Sequence, residues 1–192
     1  MFLESLKLTL SDEKTLITNT RLSKVKFLGT YIQRIAPTVI PLARPHSAGN
    51  IRMTAPLPLI TRRLKEKGFW YMSPRGPISK AITHLIPFPV KDLILRFRTI
   101  LNGFLNYYSF ADNICSLANV YYLLNHSLRS TICRKLDISR PVFLSIFGPD
   151  TTISIVRRDG ETVHLNFPRP RLVRSPMKFQ ISSSQDPTRI KD

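Results

Sequence analysis

Apolar side chains recur at three- and four-residue spacing in two long runs that are separated by the polar turn Asp112–Ser116. On a helix this spacing places them on one face, which must then be buried against another element. The turn is short enough to make the two helices antiparallel neighbours. The first helix is predicted to begin near Val90 and the second to span Leu117–Leu136. The apolar positions are Leu93, Phe97, Ile100, Leu101, Phe104 and Tyr108 in the first run, and Leu117, Tyr121, Leu124, Leu128 and Ile132 in the second.

Two shorter helices flank this pair. Residues Leu59–Lys67 form one of them, and Gly68 suits its C-terminal stop. Pro141 can open the other, which runs through Phe147 and ends at Gly148-Pro149. The sequence therefore predicts a mainly α fold, a small helical bundle.

Period-two patterns at the two ends predict β-hairpins. The N-terminal one consists of strands Lys14–Thr18 and Val25–Arg34, joined by the turn Asn19–Lys24. At the other end, the Asp-Gly step at Asp159 marks a hairpin within residues 151–167. Because an isolated two-stranded hairpin is marginally stable in water, the N-terminal hairpin must dock on another element or be a fragment of a larger sheet.

Proline-rich segments without periodicity separate these patterns. Five prolines break the chain within residues 35–58, which predicts a linker. Beyond residue 167 the chain is rich in Pro, Arg and Ser, which predicts a basic disordered tail. The predicted segments are 1–34, 35–58, 59–148, 149–167 and 168–192.

The charge of the chain indicates a polyanionic partner. The sequence contains 29 Lys and Arg against 12 Asp and Glu, a formal net charge of +17. Residues 51–110 carry the densest part, with ten basic and two acidic side chains, a net +8. Such a field attracts nucleic acid or an anionic membrane, although the basic helix is too apolar all round for a membrane-surface helix.

We predict that the phosphate contacts lie on the Pro- and Gly-containing loop Arg75–Lys80 and on the helices beside it. Gly76 lets the backbone of this loop approach a phosphate closely. The alternative is that these cations only form solvated faces of the protein. For the four cations of the short helix Leu59–Lys67, phosphate contact and a solvated face both stay open as interpretations. The candidate RNA-binding residues are Arg75, Lys80, Lys91, Arg96 and Arg98, together with Arg62, Arg63, Lys65 and Lys67.

No catalytic, metal or cofactor site is predicted. Cys115 and Cys133 lie far apart inside helical patterns, so we expect small core residues and neither a disulfide framework nor a metal pair. The four histidines are scattered. No window approaches 18 uninterrupted apolar residues, which argues against a transmembrane helix.

Two blocks of the sequence resemble group II intron-encoded proteins of the organellar type, the maturase/reverse transcriptase family. Residues from Arg75–Lys80 through the run LNYYSFADN at 105–113 resemble the family's maturase domain, called domain X. Ahead of them, Leu10–Thr18 and Val25–Gly29 look like the closing motifs of the reverse transcriptase palm. The order and separation of the blocks also match, and the resemblance covers residues 1–148.

The resemblance implies a thumb-like domain X at 59–148 that grips a group II intron RNA and stabilises its folded form, which promotes RNA splicing and mRNA processing. Residues 1–34 would be a palm remnant. The family's polymerase centre uses a paired-aspartate loop, and this chain has no Asp-Asp pair. Without those carboxylates two catalytic metals cannot be held, so we expect a truncated reverse transcriptase that is not an enzyme. No Cys pairs of a C-terminal nuclease module follow either.

Two other interpretations stay open. The chain is a decayed, non-functional intron reading frame, or a fragment that completes a reverse transcriptase by pairing with a separately encoded palm. No small-molecule substrate and no membrane partner are expected. The N-terminus carries Glu4, Asp12 and Glu13 and lacks the Arg-rich pattern of a transit peptide, so we expect an organelle-encoded mitochondrial protein, with the plastid as the alternative.

Overall fold

A computed structural model of the protein describes residues 17–34, 51–156 and 160–173. The chain divides into two units, Met1–Ala55 and Pro56–Asp192. The strands described in the first unit are β1 (Val25–Phe27), β2 (Thr30–Arg34) and β3 (Ile51–Thr54). The helices described in the second are α1 (Leu57–Glu66), α2 (Val90–Tyr107), α3 (Ala118–Leu136) and α4 (Arg140–Phe147), and the strands are β4 (Trp70–Ser73), β5 (Gly76–Ser79), β6 (Ile153–Val156) and β7 (Thr162–Leu165). The predicted fold class is confirmed: mainly helical, with a hairpin near each end.

The first unit contains an antiparallel sheet of order β1-β2-β3. Val25 lies opposite Ile32, so the segment that we predicted as one strand, 25–34, folds back on itself. The reversal occurs at Leu28 and Gly29, which both adopt positive φ angles of 44° and 72°. The strand prediction was therefore wrong at this turn. Of the strand predicted at 14–18, residues 14–16 lie outside the described residues, and 17–18 are not extended into a strand.

The third strand, β3, lies within the segment that we predicted as linker. Its register on β2 pairs Tyr31 with Thr54 and Arg34 with Ile51. Three of the five prolines that suggested a linker precede this strand and two follow it, and residues 35–50 lie outside the described residues. The boundaries of the predicted segments remain predictions.

Helices α2 and α3 form the centre of the second unit. Helix α2 begins at the predicted Val90, and α3 begins one residue after the predicted Leu117 and ends at the predicted Leu136. The agreement follows from apolar spacing that continues without interruption. Leu93, Ile94 and Phe97 of α2 are fully buried. The residues of α3 that are fully buried and apolar are Val120, Leu124, Leu128 and Ile132.

Helix α1 is followed directly by the hairpin β4–β5. Gly68, with φ of 81°, reverses the chain after α1, and the Phe69 N–H donates to Leu64 O at 3.0 Å. The indole N–H of Trp70 then donates to Thr61 O at 2.8 Å, which ties the hairpin back onto the helix. The basic segment 75–80 that we predicted as a loop is thus largely a strand, and only Pro74 and Arg75 form its turn.

The C-terminal hairpin β6–β7 pairs Ile153 with Leu165 and is followed by the fully buried Phe167. The Phe167 ring stacks on Tyr121 of α3, with centroids 5.7 Å apart. Residues 168–173 continue along the second unit, where Leu172 O accepts a hydrogen bond from the Cys115 thiol at 3.8 Å. The rest of the predicted tail, 174–192, lies outside the described residues.

Candidate nucleic-acid interface

The turn of β4–β5 presents one of the predicted phosphate contacts. Arg75 is exposed, and its backbone N–H donates to Ser73 Oγ at 3.2 Å, which helps to set the turn. Tyr71 and Ile78 form a cross-strand pair on one face of the hairpin and remain 45% and 39% exposed. A cation at the tip and an aromatic side chain on the face give this hairpin both groups that RNA-binding surfaces use.

The segment that follows the hairpin is fixed to α3 by three polar side chains at four-residue spacing. Ser127 Oγ donates to Lys80 O at 2.6 Å, and Thr131 Oγ1 accepts from the Ile82 N–H at 2.9 Å. Lys135 Nζ donates to Ile86 O at 2.8 Å. We call Ser127, Thr131 and Lys135 the polar seam. It positions the backbone of Lys80, whose side chain is exposed, and thereby the base of the hairpin.

The four candidate cations of α1 are in different surroundings. Arg62 forms an exposed ion pair with Glu66 at 3.5 Å, a contact that contributes little in solvent. The Lys65 ammonium lies 5.8 Å from the centre of the Trp70 ring. Arg63 is exposed and near Tyr108: burial raises the pKa of that phenol, Tyr107 raises it further, and Arg63 lowers it.

The cations of α2 lie on different sides of the helix. Lys91 is exposed in the first turn and Arg98 is half-buried. Arg96 and Arg98 are two residues apart, so their side chains point about 200° apart around the axis. Their side chains therefore cannot reach the same phosphate together. The Arg96 guanidinium stacks on the Phe88 ring, 4.2 Å from its centre.

A cavity brings Arg96 together with a cation of α1. Lys67, at the end of α1, lines the same cavity as Arg96, along with His84 and several apolar side chains. This grouping of residues 29 positions apart carries no signal in the sequence, and His84 was not among our candidates. The exposed Tyr71 was also not among our candidates.

The comparisons with known proteins assign the chain to a family. Residues 48–186 match the family model described as type II intron maturase. The chain belongs to that family. The matched range includes all the described helices of the chain and every candidate RNA-binding residue.

Two intron-associated proteins are similar to this chain. It is 31% identical over 157 residues to the "Uncharacterized 91 kDa protein in cob intron" of Schizosaccharomyces pombe, covering 79% of the chain and 19% of that protein. It is 28% identical over 185 residues to the "Putative COX1/OXI3 intron 1 protein" of Saccharomyces cerevisiae, covering 88% of the chain and 21% of that protein. The chain thus spans about a fifth of the length of these relatives.

Residues suited to metal binding are dispersed in the described part of the chain. Within residues 17–34, 51–156 and 160–173, no three His, Cys, Asp or Glu side chains lie close enough together to hold a metal ion. Cys115 is exposed and Cys133 is half-buried, so neither thiol occupies the core position that we expected. None of the helices in these ranges has the length and apolar character needed to cross a bilayer.

Proposed function

We propose that this chain binds the folded RNA of a group II intron and assists its splicing by stabilising that fold. Membership of the intron maturase family over residues 48–186 is the observation that carries the proposal. The net +8 on residues 51–110 supports it, because these residues lie within or beside the matched range and present exposed cations.

The RNA surface that we propose comprises the tip of β4–β5, the exposed side of α1 and the two flanks of α2. Arg75 and Lys80 would position the RNA backbone, and Tyr71 would stack on an unpaired base. The polar seam supports this role, since it fixes the segment that begins at Lys80 to α3. Neutralising close-packed phosphates would shift the intron toward its active conformation without any bond chemistry by the protein.

We also propose that the chain has neither polymerase nor endonuclease activity of its own. The sequence has no Asp-Asp pair to hold the metals of a polymerase centre. Mitochondria are the proposed location, because the two named relatives belong to introns of cob and COX1/OXI3 genes.

The binding proposal is tested by comparing two RNAs of equal length, the intron that harbours or neighbours this reading frame and an unrelated structured RNA. We expect at least about tenfold tighter binding to the intron, which corresponds to about 1.4 kcal/mol. Equal affinity for both RNAs would reject specific recognition.

The surface is tested with the double variant Arg75→Ala/Lys80→Ala. We expect weaker binding to the intron, a flatter salt dependence and unchanged helical content by circular dichroism. The matched control is Arg134→Ala/Arg140→Ala, which removes two exposed cations outside the proposed surface. If both variants lose the same affinity, the hairpin has no special part in binding.

A separately encoded palm is a second candidate partner, and it would complete a reverse transcriptase. The observation that favours it is apolar exposure in the first unit: Phe27 is 59%, Leu28 72% and Ile51 62% exposed. If this sheet pairs with such a palm, the two polypeptides should co-purify, and Phe27→Asp/Ile51→Asp should abolish the association while leaving RNA binding intact. Co-purification that the double variant does not alter would reject this sheet as the contact.

The decayed reading frame remains the alternative to both proposals. The fully buried side chains of α2 and α3 support a folded product. Trp70, the only tryptophan of the chain, reports on the second unit. A non-cooperative change in its fluorescence with urea would favour decay.

A further inference from the structure

A cavity of about 540 Å³ opens where the end of α1, the segment Ile82–Leu85 and the middle of α2 meet. Its apolar lining includes Phe69, Ile82, Leu85 and Ile100. Ligand sites in proteins commonly measure roughly 300–1,000 Å³, so a purine or pyrimidine with its ribose fits this volume.

The two charged side chains in the described lining of the cavity are both cationic. Lys67 and Arg96 are exposed, and the described lining includes no carboxylate. The contact with Phe88 holds the Arg96 guanidinium in place. Such pre-organisation lowers the conformational entropy that an arginine loses when it binds a phosphate.

Apolar walls beside cationic side chains select a ligand with a flat, weakly polar part and an anionic part. A nucleotide has both. In a duplex the bases are stacked and paired, so only an unpaired nucleotide can place its base inside such a cavity. The density of cations around the cavity favours a nucleotide that belongs to a longer polyanion over a free one.

We propose that this cavity receives the base of one unpaired RNA nucleotide, with the adjacent phosphates at Lys67 and Arg96. This inference rests on the proposed RNA-binding function and adds a specific requirement, an unpaired base. It also gives the two cations a shared role that neither helix alone suggests.

The test uses the full chain and a ten-nucleotide oligoadenylate with 2-aminopurine at one internal position. In the free strand the emission of 2-aminopurine is quenched by stacking on its neighbours, and we expect it to rise when the base enters the cavity. A duplex of the same length, with 2-aminopurine paired to uracil, should bind without this rise.

Two variants alter the cavity in different ways. Thr99→Trp fills it from an exposed position of α2, and Leu95→Glu adds a carboxylate to its lining. Both should weaken binding of the single strand about tenfold, the loss expected when one base no longer stacks, and should abolish the emission rise. The matched controls Asn119→Trp and Asn119→Glu alter an exposed position in the first turn of α3, which is not part of the proposed surface, and should bind like the wild type.

The charged groups are tested separately with Lys67→Gln/Arg96→Gln. This variant should weaken single-strand binding at least about tenfold more than Arg134→Gln, which removes an exposed charge at the end of α3. Circular dichroism of every variant checks that the fold is retained.

The results distinguish this inference from the function on which it rests. If the wild type binds intron RNA but the bound oligoadenylate shows no emission rise, the cavity proposal is overturned and RNA binding is left intact. Equal losses of single-strand affinity in the cavity variants and in their controls lead to the same conclusion. Binding of free adenosine monophosphate as tightly as the oligonucleotide also overturns it, since the site would then serve a mononucleotide. Absence of binding to any RNA overturns both.

Discussion

Thr131 forms two hydrogen bonds in the centre of the polar seam. Its Oγ1 donates to Ser127 O at 2.7 Å and accepts from the Ile82 N–H at 2.9 Å, and the residue is fully buried. The bond to Ser127 O lies within α3, whereas the bond from Ile82 joins two parts of the chain that are 49 residues apart. The second bond therefore contributes to tertiary structure.

Thr131→Val should lower the free energy of unfolding of the second unit by about 1–3 kcal/mol. Valine has nearly the same shape but cannot accept, so the Ile82 N–H would be buried without a partner. Urea unfolding followed by Trp70 fluorescence measures the change. The exposed Thr83→Val in the same segment is the control and should change stability by less than about 0.5 kcal/mol. Equal effects at both positions would contradict the role of the seam.

His126 should make stability depend on pH. Burial lowers the pKa of His126, and Arg129 and Arg140 lower it further, while the Tyr122 ring lies 4.2 Å away. The unfolded chain, with a histidine pKa of about 6.5, therefore takes up a proton before the folded protein does. The stabilisation is present above that value and is lost as the pH falls through it.

Consequently the free energy of unfolding should fall more between about pH 7.5 and pH 5.5 in the wild type than in His126→Gln. Parallel pH profiles from urea titrations would show that His126 does not contribute. The other three histidines are present in both proteins, so their contribution cancels when one pH profile of the free energy of unfolding is subtracted from the other.

The arrangement of single residues was only partly accessible from the sequence. The separation of Arg96 from Arg98 around the axis of α2 follows from helical geometry and could be read from the sequence. By contrast, Lys67 and Arg96 line the same cavity, to which the end of α1, α2 and the segment Ile82–Leu85 all contribute. No local pattern encodes that arrangement, so the cavity could only be found in three dimensions.

Among the elements, helices were predicted well and turns were not. The period of 3.6 residues persists over α2 and α3, and this long signal outweighs local exceptions. The turns at Gly29 and at Arg75 each consist of two residues. The sequence around each turn is also compatible with a single strand or a loop, so the turn was not predicted. Pro77 lies within β5, which has one partner strand, and an edge position of this kind tolerates the missing N–H.

Helix α4 should depend on one side chain for its attachment. Phe143 is 1% exposed and packs beside Phe147, whereas Ile146 on the same helix is 60% exposed. Phe143→Ala should therefore lower the free energy of unfolding by about 3–5 kcal/mol, because it leaves a cavity in the core. Ile146→Ala is the matched control and should cost less than about 1 kcal/mol. Both are measured by urea unfolding with Trp70 as the probe.

At the scale of the whole molecule, net charge and specific contacts would make different contributions to the proposed recognition of RNA. The charge of +17 attracts any polyanion, and its effect weakens with salt. Preference for one RNA needs contacts that depend on shape and on unpaired bases, which salt affects much less. Composition could predict the first contribution but not the second.

The salt dependence of binding should therefore separate the two. If six of the nine candidate cations each neutralise one phosphate, affinity for any structured RNA should fall about a thousandfold between about 50 and 200 mM salt. The ratio of affinities for the intron and for an RNA of equal length should stay constant over the same range, because both complexes release similar numbers of counterions. Filter-binding titrations at four salt concentrations give both quantities. A ratio that falls to one at 200 mM would mean that the preference is electrostatic, and a slope of log K against log salt shallower than about −2 would mean that most of the candidate cations contact no phosphate.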